Sequence, residues 1–373
     1  MILEGETAYY SKYMILTDYP NTKYIYDYPS CNKSSKSVSF GTSYNTVEDN
    51  NGQIYHIKDS YLYKDDEQVL SVTTSNLIKN PLYYDSTTNT YWIGLDKKII
   101  QPQFWLQNSS QSSNTGFTAD ARASQGESFL NFAVQGNKVY LIYIDYEDSS
   151  DPNIIYFTKD ENVKLTEQNR IQISSIDGVS GEVTDMAVLE NGTVAVLVNE
   201  KSLNPANQFT LNDGCTVYSR GALVLLSSDL STYKVYGWTD SPRTISAKLN
   251  SGSDDPYNGA PGNSQIDSIT AYIPDYAERN SHFYGPMRIV AIRPKELVIA
   301  DCGANFVLAD YKEHRQGKMF THNRLMTVNL RNFAIGCKKE FSEDELKFQN
   351  LSISGNIAVT TSGDWSNKYV DEK

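Results

Sequence analysis

The sequence predicts an all-β fold of the β-propeller type, and three observations carry that prediction. A hairpin outline recurs along the chain, apolar residues alternate within short runs, and Gly, Asn, Ser and Thr fill the gaps between runs. At 373 residues the chain exceeds one ordinary domain, so it forms either two domains or one repetitive architecture. No composition break near the middle marks a linker, which favours a single domain over residues 1–373. Hydrophobic residues make up 39% of the chain, enough for a core if they concentrate at alternating strand positions. Tyr occurs 27 times against 13 Phe and 4 Trp, a usage suited to pleated strands.

The clearest hairpin is Met186-Ala-Val-Leu-Glu-Asn-Gly-Thr-Val-Ala-Val-Leu-Val, where Asn191-Gly192 supplies the positive φ of a tight turn. The outline returns as Phe132-Ala-Val-Gln-Gly-Asn-Lys-Val-Tyr-Leu-Ile-Tyr, as Val290-Ala-Ile-Arg-Pro-Lys-Glu-Leu-Val-Ile-Ala-Asp and as Leu351-Ser-Ile-Ser-Gly-Asn-Ile-Ala-Val. Weaker copies start at Thr46 and Leu82. The starts lie roughly 35 to 60 residues apart, with one gap near 100, and propeller blades repeat at about 40 to 50 residues. The strong hairpins are followed by a second strand pair, as in Gly221-Ala-Leu-Val-Leu-Leu with Tyr233-Lys-Val-Tyr, or Asn323-Arg-Leu-Met-Thr-Val-Asn-Leu with Asn332-Phe-Ala-Ile. Four strands per unit is the size of a blade.

Six blades are therefore expected. The hairpin at Leu351 leaves no room for two further strands, whereas Tyr13-Met-Ile-Leu-Thr and Lys23-Tyr-Ile-Tyr-Asp have no partner hairpin. Together they would complete one blade from both chain ends and close the ring, hiding its edges. The long gap holds an irregular insertion at about 240–265, including Ser251-Gly-Ser-Asp-Asp-Pro-Tyr-Asn-Gly-Ala-Pro-Gly, followed by Ile269-Thr-Ala-Tyr-Ile; a seventh blade there is the alternative. Residues 108–127 read as a second surface excursion, and Ser342-Glu-Asp-Glu-Leu-Lys-Phe as a helix of a couple of turns.

Charge narrows the partners. A formal net charge of -12 with no basic cluster disfavours nucleic acid, whose binding is driven by Lys and Arg. No apolar run approaches the roughly 20 residues of a membrane helix. The start Met1-Ile-Leu-Glu-Gly-Glu carries no signal-peptide pattern, so the chain is either cytoplasmic or begins after a removed leader. Cys31, Cys215, Cys302 and Cys337 form no C-x-x-C pair and are either disulfide-bonded or free buried thiols.

The segment Gly285-Pro-Met-Arg-Ile-Val-Ala-Ile-Arg-Pro-Lys-Glu-Leu-Val-Ile-Ala-Asp-Cys-Gly, followed by Asn323-Arg-Leu-Met-Thr-Val-Asn-Leu, resembles bacterial β-propeller proteins of the NHL-like kind. It is similar in particular to a group of surface lipoproteins of host-associated bacteria. The match covers roughly one blade, with looser agreement in hairpin outline elsewhere. The resemblance implies a secreted or surface-tethered propeller and no particular activity. The chain shows no lipobox, so the extracytoplasmic location is an expectation.

No P-loop, G-x-S-x-G elbow, H-E-x-x-H helix or Asp box is present. His56, His282, His314 and His322 stand alone in sequence, at spacings that put no two on one face. Asp254, Asp255 and Asn258 form a loose oxygen-donor set that calcium would suit, although their spacing matches no known loop. Asp145, Glu147, Asp148 and Asp151 read as a solvated turn. Tyr9, Tyr10, Tyr13, Tyr19, Tyr24, Tyr26 and Tyr28 crowd the N-terminus, and Trp92, Trp105, Trp238 and Trp365 are spread over several blades. These aromatics serve either core packing or a binding surface. The expected function is a binding or scaffold propeller that recognises a protein or glycan, with loops such as 250–264 at one face. The alternative is a propeller-fold glycan-active hydrolase or lyase whose residues come from different blades.

Overall fold

In a computed structural model of the chain, the described residues are 11–18, 22–41, 46–72, 77–95, 98–100, 116–118, 128–145, 149–160, 165–176, 179, 181–200, 209–210, 216–217, 220–237, 242–248, 265–272, 280–283, 285–309, 316–341 and 358–360. They are all-β apart from short 3-10 turns, and no helix among them is long and apolar enough to cross a membrane.

Sheet 1 pairs β1 (Tyr13–Asp18) with β2 (Thr22–Asp27). Sheet 2 holds β3 (Thr46–Glu48), β4 (Ile54–Lys58), β5 (Tyr61–Lys64) and β6 (Glu67–Ser71). Sheet 3 holds β7 (Leu77–Asp85), β8 (Thr90–Leu95), β9 (Lys98–Ile100) and β10 (Gly116–Thr118). Sheet 4 holds β11 (Ser128–Gln135), β12 (Lys138–Asp145), β13 (Ser149–Lys159) and β14 (Leu165–Gln172). Sheet 5 begins with β15 (Glu182–Val188) and β16 (Val194–Glu200). A small hairpin, β17 (Phe209–Thr210) and β18 (Thr216–Val217), precedes its outer pair, β19 (Arg220–Leu226) and β20 (Tyr233–Tyr236). A separate hairpin, β21 (Pro242–Lys248) and β22 (Gln265–Tyr272), occupies the long gap. Sheet 6 holds β23 (Pro286–Arg293), β24 (Glu296–Ala309), β25 (Gln316–Asn329) and β26 (Ile335–Glu340), and β27 (Ala358–Thr360) pairs with β25.

Alternation along the strands gives each central sheet two apolar faces, and each face packs on a different neighbour. Ile25 of sheet 1 meets Ile54 of sheet 2, Ile57 meets Ile93 of sheet 3, and Trp92 meets Phe132 of sheet 4. Tyr140 and Ile142 meet Val196 and Val198 of sheet 5, whose other face sends Leu197 and Leu223 against Ile299 and Met326 of sheet 6. Sheet 6 then returns to sheet 1, where Val298 and Leu325 pack with Met14 and Leu16. The sheets follow one another in a propeller-like order.

Among the described residues sheets 2, 3, 4 and 5 are four-stranded, so four blades carry a full set of strands there, against the six expected. Among the described residues sheet 1 is two-stranded, and the turn after β2 returns at Lys33 to make a single bridge to Tyr26. Of the hairpin expected at Leu351 to close the ring, residues 351–357 lie outside the described residues, while its last two, Ala358 and Val359, belong to β27, which among the described residues pairs with β25. The insertion expected at about 240–265 is in part regular, since its flanks pair as β21 and β22. Strands begin at or before the predicted starts Thr46, Leu82, Phe132, Met186 and Val290, while residues 342–348 lie outside the described residues.

One turn design recurs. In loops 189–193 and 330–334 the third residue, Asn191 or Asn332, accepts the N–H of the fifth through its side chain, at 3.0 and 3.1 Å. The fourth residue has positive φ: Gly192 at 84° and Phe333 at 59°. The Asn191-Gly192 turn is thus a five-residue loop, because Val188 pairs with Val194, whereas Gly136-Asn137 is the two-residue turn between Gln135 and Lys138.

Candidate functional site

The first strands of the sheets, β1, β3, β7, β11, β15 and β23, line a narrow central cavity of about 140 Å³. Its walls carry Ser11, Glu48, Asn131, Asp185 and Arg288. These polar groups fasten sheet 1 to sheet 2, sheet 4 to sheet 5, sheet 5 to sheet 6 and sheet 6 back to sheet 1. Glu48 accepts the backbone N–H groups of Lys12 and Tyr13, at 2.9 and 3.2 Å, and so joins sheet 2 to sheet 1. Asp185 accepts Asn131 Nδ2 at 3.2 Å from sheet 4 and the N–H of Ile289 at 2.8 Å from sheet 6, with Arg288 Nε at 3.9 Å. Ser11 Oγ accepts the N–H of Ile292 at 3.2 Å, which ties sheet 6 to sheet 1. Such bonds matter because first strands leave groups facing a cavity where bulk water cannot satisfy them.

Burial raises the Glu48 carboxyl to about 7, against the two backbone N–H groups and the nearby Arg293 and Lys12 charges that favour its ionised form. Burial also lowers Lys23 to about 8, helped by repulsion from Arg288. A carboxyl raised in the fold stabilises it fully below the ordinary value of 4.5, and that contribution is lost as pH rises through about 7. Glu48→Gln, which stays neutral, is therefore expected to melt close to wild type near pH 5 and above it near pH 8. Thermal melts at both pH values check this; parallel wild-type and variant profiles would mean that Glu48 is hydrated.

On the side where the turns from first to second strands emerge lies a bowl of about 1270 Å³, which shares Tyr83, Tyr84 and Ile292 with the cavity. Its wall presents Asn50, Thr87, Gln135, Asn191 and Ser227 between the rings of Tyr84, Tyr233 and Phe333. The turns are cross-braced. Asp85 binds Thr87 N at 3.0 Å and Thr88 Oγ1 at 2.7 Å, and reaches Gly136 N of the next sheet at 2.8 Å. Tyr84 OH accepts the N–H of Asn50 at 3.2 Å, and Gln135 Nε2 donates to the Leu189 carbonyl at 2.9 Å. The charged groups on the wall are Asp85, Glu190, Lys234 and Arg293. Asp85 is consumed by the bracing, and Arg293 stacks over Tyr28 at 4.2 Å.

The residues singled out in the sequence are mostly elsewhere. Asp254, Asp255 and Asn258 lie outside the described residues, as do the side chains of Asp145, Glu147, Asp148 and Asp151. His56 is buried in sheet 2, stacked on Tyr63 at 5.3 Å, with Nε2 2.9 Å from the Asp65 carbonyl and Nδ1 unpartnered; burial lowers its pKa. His282 lies before β23, its ring 3.1 Å from Ser281 Oγ, while His314 and the side chain of His322 lie outside the described residues. Among the described residues no three His, Cys, Asp or Glu side chains are placed to hold a metal. Cys31 and Cys337 are free thiols. Of the N-terminal tyrosines, Tyr26 is buried, Tyr24 lies under Lys33 Nζ at 3.7 Å, and Tyr28 bonds Glu296, so these serve packing. Tyr13 lies near Lys36, Trp92 is buried beside Phe132, and Tyr9, Tyr10, Tyr19, Trp105, Trp238 and Trp365 lie outside the described residues. Sequence reasoning missed Glu48, Asp185, Tyr84, Tyr233 and Phe333. Their signal was position alone, at or beside the turns of the recurring hairpins.

No protein-family model matches the chain, and no curated protein matches it. Among solved structures it is similar to a Bacteroides ovatus ATCC 8483 protein assigned as a dipeptidyl aminopeptidase IV, at 9% identity and a TM-score of 0.33, over 89% of this chain and 51% of that one. It is similar to the major Malassezia sympodialis allergen Mala s 1, at 10% identity and a TM-score of 0.28, over 77% and 94% of the two chains. A third is the dihydro-heme d1 dehydrogenase NirN, at 10% identity and a TM-score of 0.34, over 96% and 75%. The chain spans about half the length of the first of these. Its own sheets define its class, an all-β protein with a propeller-like arrangement around a central cavity.

Proposed function

We propose that the chain is a six-bladed propeller acting outside the cytoplasm as a binding or scaffold protein, with the bowl as the face that recognises a glycan. Sheet 1 counts as the sixth blade in this reading, because it packs on sheet 6 through Met14 and on sheet 2 through Ile25. The observation that carries the function is the bowl: about 1270 Å³, walled by side-chain amides and hydroxyls between aromatic rings. Ligand pockets measure about 300 to 1,000 Å³, so the bowl has room for several sugar rings. Amides and hydroxyls match sugar hydroxyls, rings match their C–H faces, and braced turns lose little entropy on binding. The surface location rests on the resemblance of the Gly285–Gly303 segment to lipoprotein propellers.

The test is binding of the purified chain to immobilised neutral oligosaccharides, in parallel with envelope and host proteins. Saturable binding to an oligosaccharide, weakened by substitution at Asn50 or Tyr233, is the expected result. Binding confined to proteins would replace the glycan with a protein partner, and no binding to either would overturn the reading.

Glu48 favours a second reading, a glycan-active hydrolase or lyase, because a carboxyl raised to about 7 suits proton transfer near neutrality. Against it, Glu48 and Asp185 already accept backbone N–H groups, and 140 Å³ holds only about five waters' volume. Incubating the same oligosaccharides with the chain separates the two: new reducing or unsaturated ends that disappear in Glu48→Gln would establish the enzyme.

A further inference from the structure

Loops 189–193 and 330–334 read Leu-Glu-Asn-Gly-Thr and Leu-Arg-Asn-Phe-Ala, and they share one conformation at the positions that matter. In both, the third-position Asn accepts the fifth N–H and the fourth residue is left-handed. Loop 49–53 also places Gly, Gly52 with φ 79°, in the fourth position. A left-handed φ is free for Gly and strained for a bulky side chain. Leu230, the left-handed residue of the loop from Ser227 to Thr232, offsets that strain by full burial. Phe333 offsets it only in part, since its ring is half-buried, packed on the core between sheets 5 and 6 and lining the bowl.

The ring is held in place all the same. It stacks on Tyr236 with centroids 4.7 Å apart and planes at 17°, and the N–H of Phe333 donates to the Asn329 carbonyl at 2.7 Å. Tyr236 belongs to sheet 5 and Phe333 to the β25–β26 loop of sheet 6, so the pair bridges the seam between two sheets at the wall of the bowl. A strained backbone that keeps an aromatic ring where glycine would be relaxed needs a return, and strain of this kind gathers at ligand-holding sites.

We infer that Phe333 is the stacking platform of the bowl, receiving the apolar C–H face of a neutral sugar ring where its own ring lines the wall beside Lys234. This rests on the glycan reading above and adds the residue that sets its specificity: sugars with one face free of axial hydroxyls, such as β-linked glucose or N-acetylglucosamine, over those with an axial group on that face.

The experiment measures affinity for soluble β-1,4-linked glucose and N-acetylglucosamine hexamers, with an α-linked mannose hexamer as the contrast, alongside thermal melting. Phe333→Gly is expected to melt at or above wild type, because the strain is relieved, while losing affinity by about tenfold or more. Phe333→Trp is expected to restore it. A Phe333→Gly variant that binds as wild type overturns the platform alone, as does one whose melting temperature falls steeply, since packing on Tyr236 would then account for the ring. A wild-type chain that binds none of the three hexamers overturns the glycan reading and the platform with it.

Discussion

Asp301→Ala is expected to lower the stability of the chain by about 3–5 kcal/mol, the cost of leaving a buried charge unpaired. Asp301 and Arg324 face each other across β24 and β25, and neither side chain is exposed at all. Asp301 Oδ2 receives Arg324 Nε at 2.9 Å and Nη2 at 2.7 Å, while Oδ1 receives the N–H of Gly285 at 2.7 Å. Arg324 also donates to the His282 carbonyl at 2.6 Å and to Asn280 Oδ1 at 3.3 Å. The pair therefore clasps the chain that enters β23 onto the middle of sheet 6. Urea unfolding of the whole chain measures the loss. Removing both charges, in Asp301→Ala combined with Arg324→Leu, should recover much of it, because the single change leaves a guanidinium without its carboxylate. A loss below about 1 kcal/mol would mean that water reaches the pair.

Gly237→Ala carries the second large effect, about 2–5 kcal/mol, from two sources that add. The φ of 75° at Gly237 costs an L-residue about 1–2 kcal/mol, and overpacking a core costs about 1–3 kcal/mol more. The overpacking is specific: a Cβ on Gly237 would lie 2.2 Å from Phe283 Cδ2 and 2.6 Å from Cε2. Phe283 is almost fully buried and is held by hydrogen bonds on both sides, its N–H to the Gly237 carbonyl at 3.1 Å and its carbonyl to the Gly221 N–H at 3.0 Å. The ring has nowhere to move. In a Phe283→Ala background the same substitution should cost only the backbone part, about 1–2 kcal/mol. Equal costs in the two backgrounds would show that the ring gives way.

Sheet 5 shows how far local reading reaches. Its four strands were legible from Met186, Gly221 and Tyr233 onward, because alternation and turn residues act over a few positions. The same locality concealed the five-residue length of the Asn191-Gly192 loop, which depends on which carbonyls Leu189 and Gly192 find. The closing of the ring was harder still. Sheet 1 meets sheet 6 through residues 281 positions apart, Ser11 and Ile292, and no periodicity encodes a contact at that range.

By itself the sequence determined the all-β class, the hairpins and the positive φ of Gly136 and Gly192 at their turns. The tertiary structure alone decided what those elements enclose. It buried Glu48 and Asp185 in a channel, joined turns from different sheets into a bowl, and set Phe333 against Tyr236 at its wall. The reason is physical: turn and strand preferences are settled by neighbours along the chain. A carboxyl's ionisation or a ring's exposure is settled by neighbours in space, and for Glu48 these come from the start of sheet 1 and from Arg293 of sheet 6.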